Sequence, residues 1–345
     1  MMQSSLLGSA LACQNTLRPP IWLMRQAGRH LASYRSFRSR FSFSTLVHEP
    51  DLIVEISRLP LEAYPLDAAI VFSDILLPLE AMKFEVTFDE GKGPLIPNAL
   101  QGPAELHRVP DEVDVRPLHF LSTAIQQLKK TLSLPLLGFS GAPFTLASYL
   151  IEGKTDRDTP KTKRWLFEDP SSFHHLLLRM ADWVAEALVI HVQPVADAMQ
   201  IFDSRAHSLT PTEFSRFCIP AQERLVSRVR KVSPHIPILF FCRNSSVFIP
   251  LFTQFPHSMG FSLDWSADLP HIRRLLGPHV PLQGNLDPSF LYSPLTEIRQ
   301  KAQTLLATMV EDKGYIFNLG HGLLPDTPEE AVRTLVSTVV DSKVP

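Results

Sequence analysis

The sequence is short of glycine, with 14 in 345 residues against 30 prolines, and it carries three cysteines. Few glycines and many prolines predict rigid turns between regular elements. Cys13, Cys218 and Cys242 are far apart and odd in number, with no Cys-x-x-Cys or Cys/His ligand spacing. Neither a disulfide framework nor a structural metal site is indicated, and a reducing, cytoplasmic setting is expected. Charge excess is missing too. A formal net charge of −2 argues against a nucleic-acid or membrane-surface binder. The longest uncharged stretch, Leu132 to Ile151, holds Pro135, Gly138, Gly141 and Pro143, which suits a buried strand followed by a loop better than a membrane span. The opening MMQSSLLGSALACQNTLR has no basic residue ahead of its apolar part, so a secretory signal is not expected.

What is present is a series of short apolar runs that stop abruptly at polar or Gly/Pro-rich residues. They are AAIVFS (68–73), LPLLGFS (134–140), ADAMQIF (196–202), IPILFFC (236–242), SMGFSLD (258–264), HVPLQG (279–284) and YIFNLG (315–320). Most are continuous rather than alternating, as parallel strands buried on both faces require. Between them lie helix-like segments: Asp51 to Tyr64 with Pro60 expected to kink or end it, Phe173 to Val192, and Pro328 to Val339 with Thr327 as N-cap. Strands alternating with helices, without a linker, predict one α/β domain over residues 18–345, with 1–17 an extension expected to lack fixed structure. Seven strands are visible; an eighth would close a barrel, and an open doubly wound sheet is the alternative. Gly91 and Gly93 mark a loop or turn.

Residues 1–48 contain no Asp, Glu or Lys, yet include Arg18, Arg25, Arg29, Arg35, Arg38 and Arg40. A transit peptide or an RNA contact could use such a stretch, but a dedicated anion site fits better, because arginine presents a planar fork to carboxylates. In PPIWLMRQAGRH, Arg25 and Arg29 are four apart, so a helical turn would aim both guanidiniums one way. Asp74 follows an apolar strand and precedes Ile-Leu-Leu-Pro, where a carboxylate is costly without a cation or N–H donors. The alternative role is a helix cap or structural ion pair. Other strand ends carry Tyr149, then Asp203, Ser204 and His207, then Asp264, Asn285, Asp287 and His321. Singly each would be structural; their accumulation where barrel active sites are built is what points to function.

Taken together, PPIWLMRQAGR, FSDILLP, FDEGKGPLI, GFSGAPFTLASYLIEG, QIFDS, GFSLDW, LQGNLDP and FNLGHGLLPDTP resemble the uroporphyrinogen decarboxylase family, in its order, from Pro19 to Val339. The resemblance implies a single-domain (β/α)8 TIM barrel and a cofactor-independent carboxy-lyase of haem biosynthesis. Its substrate would be uroporphyrinogen, whose four acetate arms become methyl groups. By matching position, Arg25 and Arg29 would hold substrate carboxylates and Asp74 the pyrrole N–H groups. Tyr149, Ser204 and His321 would be further substrate-side polar residues, with Asp74, Arg25 and Tyr149 closest to the chemistry. It also implies a homodimer. His30, Ala32, Ser33, Arg205, His207 and the FFCRNSS strand end with Arg243 depart from the family's usual residues.

The chemistry accounts for the residues. Losing CO2 from an acetate arm needs an electron sink, which a pyrrole ring protonated on the adjacent carbon provides without a cofactor. A fixed anion facing that transient cation is preorganised stabilisation, and Asp74 suits it. An arginine is a poor acid, so a water held by Arg25, Tyr149 or His321 is an equal candidate for proton donor. Two alternatives sit on the same fold. A zinc-dependent corrinoid/thiol methyltransferase would need a His-x-Cys strand end where Phe240-Phe241-Cys242 stands, and a later Cys where Gly320-His321-Gly322 stands. A non-catalytic tetrapyrrole binder should have lost Asp74 or the arginine pair.

Overall fold

The computed structural model describes residues 5–89, 93–192 and 196–342. Gly91 therefore lies outside the described residues, while Gly93 opens one strand of a small antiparallel hairpin, Thr87–Asp89 with Gly93–Leu95. The seven apolar runs become seven parallel strands in chain order. These are β1 (Ala69–Ile70), β2 (Leu136–Gly141), β3 (Ala198–Asp203), β4 (Ile238–Cys242), β5 (Gly260–Ser262), β6 (Leu282–Leu286) and β7 (Tyr315–Leu319). Helices such as Pro143–Glu152, Pro170–Val192 and Ile219–Val232 cross over between them.

The eighth stave is the segment around Ile21. The N–H of Phe317 in β7 donates to the Pro20 carbonyl at 2.9 Å, and the N–H of Asp67, just before β1, donates to the Ile21 carbonyl at 2.9 Å. The chain start thus stitches the last strand to the first and closes the barrel. Pro19 and Pro20 hid this stave, since prolines supply no ladder donor; only one bridge, Ile21 with Phe317, marks it as strand-like.

Alternate residues divide the core as a period of two demands. Ala69, Leu136, Met199, Phe240 and Tyr315 face the helices. Ile70, Leu137, Ala198, Leu239 and Ile316 face inward, joined by Trp22 and Met24. One layer inside is polar and fully paired: the Trp22 indole donates to Gln283 at 2.8 Å, and the Gln283 amide donates to Gln200 at 3.1 Å and Ser262 at 2.8 Å. The N-terminal stretch, expected to lack fixed structure, forms a helix over Leu6–Leu11. It is capped by the Ser5 hydroxyl, and Leu7 and Ala10 pack into the inward cluster.

Other expectations are corrected. Pro60 does not end its helix, Pro50–Ala63; it sits buried in the last turn, and its carbonyl accepts the Tyr64 N–H at 2.9 Å. The proline forfeits the bond its N–H would have made to the Ile56 carbonyl, but the chain holds its helical course for three more residues. The loop expected after β2 is a helix, Pro143–Glu152, begun by Pro143 at its first position and ended by Gly153 at φ 74°. Thr327 is not an N-cap. The last helix, Glu329–Val340, starts after Pro328, with Glu329 and Glu330 in its first turn.

Candidate active site

The six candidate residues stand on five elements around one end of the barrel, at the C-terminal ends of the strands. Arg25 is not on a helical turn. It sits in a tight turn at φ 60°, held from both sides: the Met24 N–H donates to Asn318 at 3.0 Å and the Leu323 N–H to the Met24 carbonyl at 2.9 Å. Its side chain lies flat across Gly322, where a Cβ would stand 2.3 Å from Arg25 Cδ. The Gly-His-Gly of β7's exit therefore makes room for an arginine from the other end of the chain. Arg25 is solvent-accessible yet ringed by protein, as a cavity-lining side chain is. Desolvation pulls its pKa down, while Tyr149 and Asp74 oppose that and Arg29 adds to it.

Asp74 follows β1 by four residues, and its Oδ1 accepts the Leu76 N–H at 2.8 Å. Desolvation pushes its pKa up to about 6; Leu76 and the cations Arg25 and His48 resist, and Glu80 assists. His48 donates to Glu80 at 2.7 Å, so an ion pair stands behind Asp74 that sequence reasoning did not find; a histidine 26 positions from Asp74 carries no local signal.

Tyr149 stands on the helix Pro143–Glu152 rather than at a strand end. Its oxygen accepts from Arg205 at 2.9 Å, and that guanidinium also lies over its ring, 4.6 Å from the centroid. His321 leaves β7 between the rings of Phe241 (5.8 Å) and Trp265 (6.4 Å). Burial first, then Arg25 and Arg243, lower its pKa to about 3, so it is a neutral imidazole at physiological pH. Arg29 is exposed beside Arg25. Ser204 is half-buried; its carbonyl accepts from His207 at 2.8 Å, and no contact ties its hydroxyl to the other five. Among the described residues no carboxylate comes within ion-pair distance of Arg25, Arg29 or Arg243.

Below these groups the floor is aromatic. Phe139, Phe202 and Phe241, from β2, β3 and β4, meet edge to face at 5.7 and 5.9 Å. Their inward alternation along the strands was the signal available in sequence. The floor and the cationic rim together suit a flat ring system carrying anionic arms.

The remaining strand-end residues are structural. Asp203 is buried under Thr145 (2.7 Å) and Gln222 (3.4 Å), with desolvation raising its pKa to about 7. Asp264 binds the Asn244 N–H and the hydroxyls of Ser245 and Ser266. Asn285 ties down the carbonyls of Asp264 and Ala267, and Asp287 caps a turn through the Ser289 N–H. His30 is buried beside the Tyr64 ring, 6.3 Å away, and turned to the core. Among the described residues no three His, Cys, Asp or Glu converge closely enough to hold a metal ion. A groove of about 610 Å³ lined by His235, His257 and His279 opens beside Pro237, Gly260 and Pro281, where β4 to β6 begin. That is the end of a barrel that serves stability.

Comparison with known proteins places this geometry. The family model described as uroporphyrinogen decarboxylase (URO-D) matches residues 2–341. The chain belongs to the uroporphyrinogen decarboxylase family. Among curated relatives, the uroporphyrinogen decarboxylase of Protochlamydia amoebophila is 46% identical, over 96% of this chain and 90% of its own. That of Roseiflexus sp. (strain RS-1) is 38% identical, over 93% of each chain. Of solved structures, a methyltransferase from Methanosarcina mazei superposes with a TM-score of 0.81 at 18% identity, covering 99% of this chain and 98% of that one. At that identity it supports the barrel alone. The TIM-barrel expectation holds, with the stave at Ile21 as the eighth, and the open sheet is set aside.

Proposed function

We propose that this member of the family is itself a uroporphyrinogen decarboxylase, converting the four acetate arms of uroporphyrinogen III to methyl groups and giving coproporphyrinogen III and CO2. The observation that carries the reading is the juxtaposition of Asp74 with Arg25. Here a carboxylate with one oxygen committed to Leu76 stands beside Arg25, and among the described residues the arginines of the site have no carboxylate of their own. Such a site is complementary to a ligand that brings N–H donors to its centre and carboxylates to its edge.

In this reading the pyrrole N–H groups converge on Asp74, and Arg25 and Arg29 clamp carboxylate arms. Each arm reacts in balanced steps. A proton adds to the ring carbon next to the one bearing the arm, making a ring cation conjugated with the arm-bearing carbon. The arm's C–C bond then breaks, its electron pair flowing into the ring as CO2 leaves, and the exocyclic carbon takes up a proton to become methyl as the ring proton departs. Asp74 opposes the cation throughout; its charge is in place before the reaction starts, so no reorganisation is required as charge develops. Tyr149, Ser204 and the neutral His321 offer donors at the arms. No cofactor is invoked, because the ring is the electron sink. We further expect a homodimer with the two mouths facing one another, working in the cytoplasm.

Anaerobic incubation of chelator-treated protein with uroporphyrinogen III, followed by oxidation and separation of products by carboxylate number, tests this. Seven- to four-carboxyl products without added cofactor are expected. Tight binding without turnover would mean a tetrapyrrole-binding relative, and neither would sink the reading.

A further inference from the structure

The hydroxyl of Tyr149 has one proton to donate, and the structure restricts where it can go. Its oxygen lies 2.9 Å from a terminal nitrogen of Arg205, and a guanidinium never accepts, so there the phenol is the acceptor. Arg25, the other cation facing Tyr149, cannot accept either. The proton of Tyr149 is left for a group that enters the cavity.

Arg205 is fixed for this task. It is 8% exposed. One terminal nitrogen donates to Tyr149, the other to the Asp156 carbonyl, and the planar group covers the Tyr149 ring at 4.6 Å. Its backbone N–H donates to the Thr145 oxygen at 3.2 Å, and the Thr145 hydroxyl in turn donates to Asp203 at 2.7 Å. Thr145 and Tyr149 are one turn apart on the same helix. Arg205 thus bolts the exit of β3 to the helix that carries Tyr149. Among the described residues the guanidiniums of Arg25 and Arg29 are uncommitted, whereas both terminal nitrogens of Arg205 donate to protein oxygens.

We infer that Arg205 is a positioning residue that makes the Tyr149 hydroxyl an obligate hydrogen-bond donor to a carboxylate arm of the substrate. This rests on the decarboxylase reading and on Tyr149's place in it. The gain is geometric: a donor held in one orientation costs no reordering when the arm arrives.

A double-mutant cycle tests it, using anaerobic kinetics with uroporphyrinogen III and a melting curve for each variant. Arg205→Met keeps the stem and removes the donors; Tyr149→Phe removes the hydroxyl. Each single change is expected to lower kcat/KM about tenfold or more, and the double variant to fall no more than about twofold below the weaker single. Arg205→Lys, whose single ammonium can serve one of the two oxygens well, is expected to recover part of the loss. Multiplied losses in the double variant would overturn the inference, because Arg205 would then act independently of Tyr149. So would full activity of Tyr149→Phe, which leaves the decarboxylase reading standing. If Arg205→Met fails to fold, Arg205→Lys alone and combined with Tyr149→Phe makes the same comparison. A wild-type chain that yields no decarboxylated product would sink the decarboxylase reading and this inference together.

Discussion

The two ends of this barrel follow opposite rules. Inside the barrel polar groups are spent on each other, Trp22, Gln283, Gln200 and Ser262 forming a closed set, and toward the end where the strands begin the helix Leu6–Leu11 contributes Leu7 and Ala10 to the apolar layer. At the end where the strands stop, three arginines have no carboxylate partner among the described residues, and desolvation lifts the pKa of Asp74 to about 6. Both ends are built on the same staves, often within a few residues of one another. The lesson is that satisfied polar groups stabilise and unsatisfied ones wait for a ligand, so each end should respond to a different assay.

The largest effect is expected where stability is concentrated. Leu7→Ala removes a fully buried side chain and should lower unfolding free energy by about 3 kcal/mol while leaving kinetic constants unchanged at a temperature where the protein is folded. Chemical denaturation checks it, and a shifted kcat/KM would show that the two ends are coupled.

Asp74→Asn should do the reverse. Loss of at least ~2 kcal/mol of transition-state stabilisation is expected from steady-state kinetics; unchanged kinetics would remove Asp74 from its role. The same variant should be more stable than wild type at pH 8. The sign follows from linkage: the folded pKa of about 6 lies above the ordinary 3.8. The folded state therefore holds the proton more tightly, and stability is lost as pH rises through 6. A melting temperature that drops at pH 8 would contradict the desolvated carboxylate.

Gly322→Ala sharpens the comparison at one atom. The added methyl would meet Arg25 Cδ and Cγ at 2.3 and 2.5 Å, so the arginine must move while the barrel need not. KM is expected to rise roughly tenfold, in line with a misplaced positioning group, with melting little changed. An unaltered KM would mean Arg25 does not meet substrate from where it lies.

The smallest effect is a pH dependence. If catalysis needs ionised Asp74, kcat/KM should fall toward acid and stand at about half its plateau near pH 6, the free-enzyme value. His321, held neutral down to about pH 3, should add no inflection of its own between pH 5 and 8. A second inflection there, abolished by His321→Gln, would show that the imidazole titrates.

The sequence by itself determined the seven inward-facing strands, because a strand buried on both faces needs an unbroken apolar run that no surface segment would keep. It determined the character of the site as well: arginines without nearby acids, and an aspartate at the end of an apolar strand. Tertiary structure decided the rest. Arg25 and Gly322 are 297 positions apart and fit only because the barrel closes, with Pro20 hydrogen-bonded to β7 and Ile21 to the approach to β1. Proline-rich PPIWL has no strand signature, so that closure is not written locally. Nor could composition tell which strand-end acids would be consumed by neighbouring helices and turns, as Asp203, Asp264 and Asp287 are, and which would be left for a ligand. That depends on which hydroxyls and N–H groups arrive from other staves, and their arrival is a property of the closed barrel rather than of any segment.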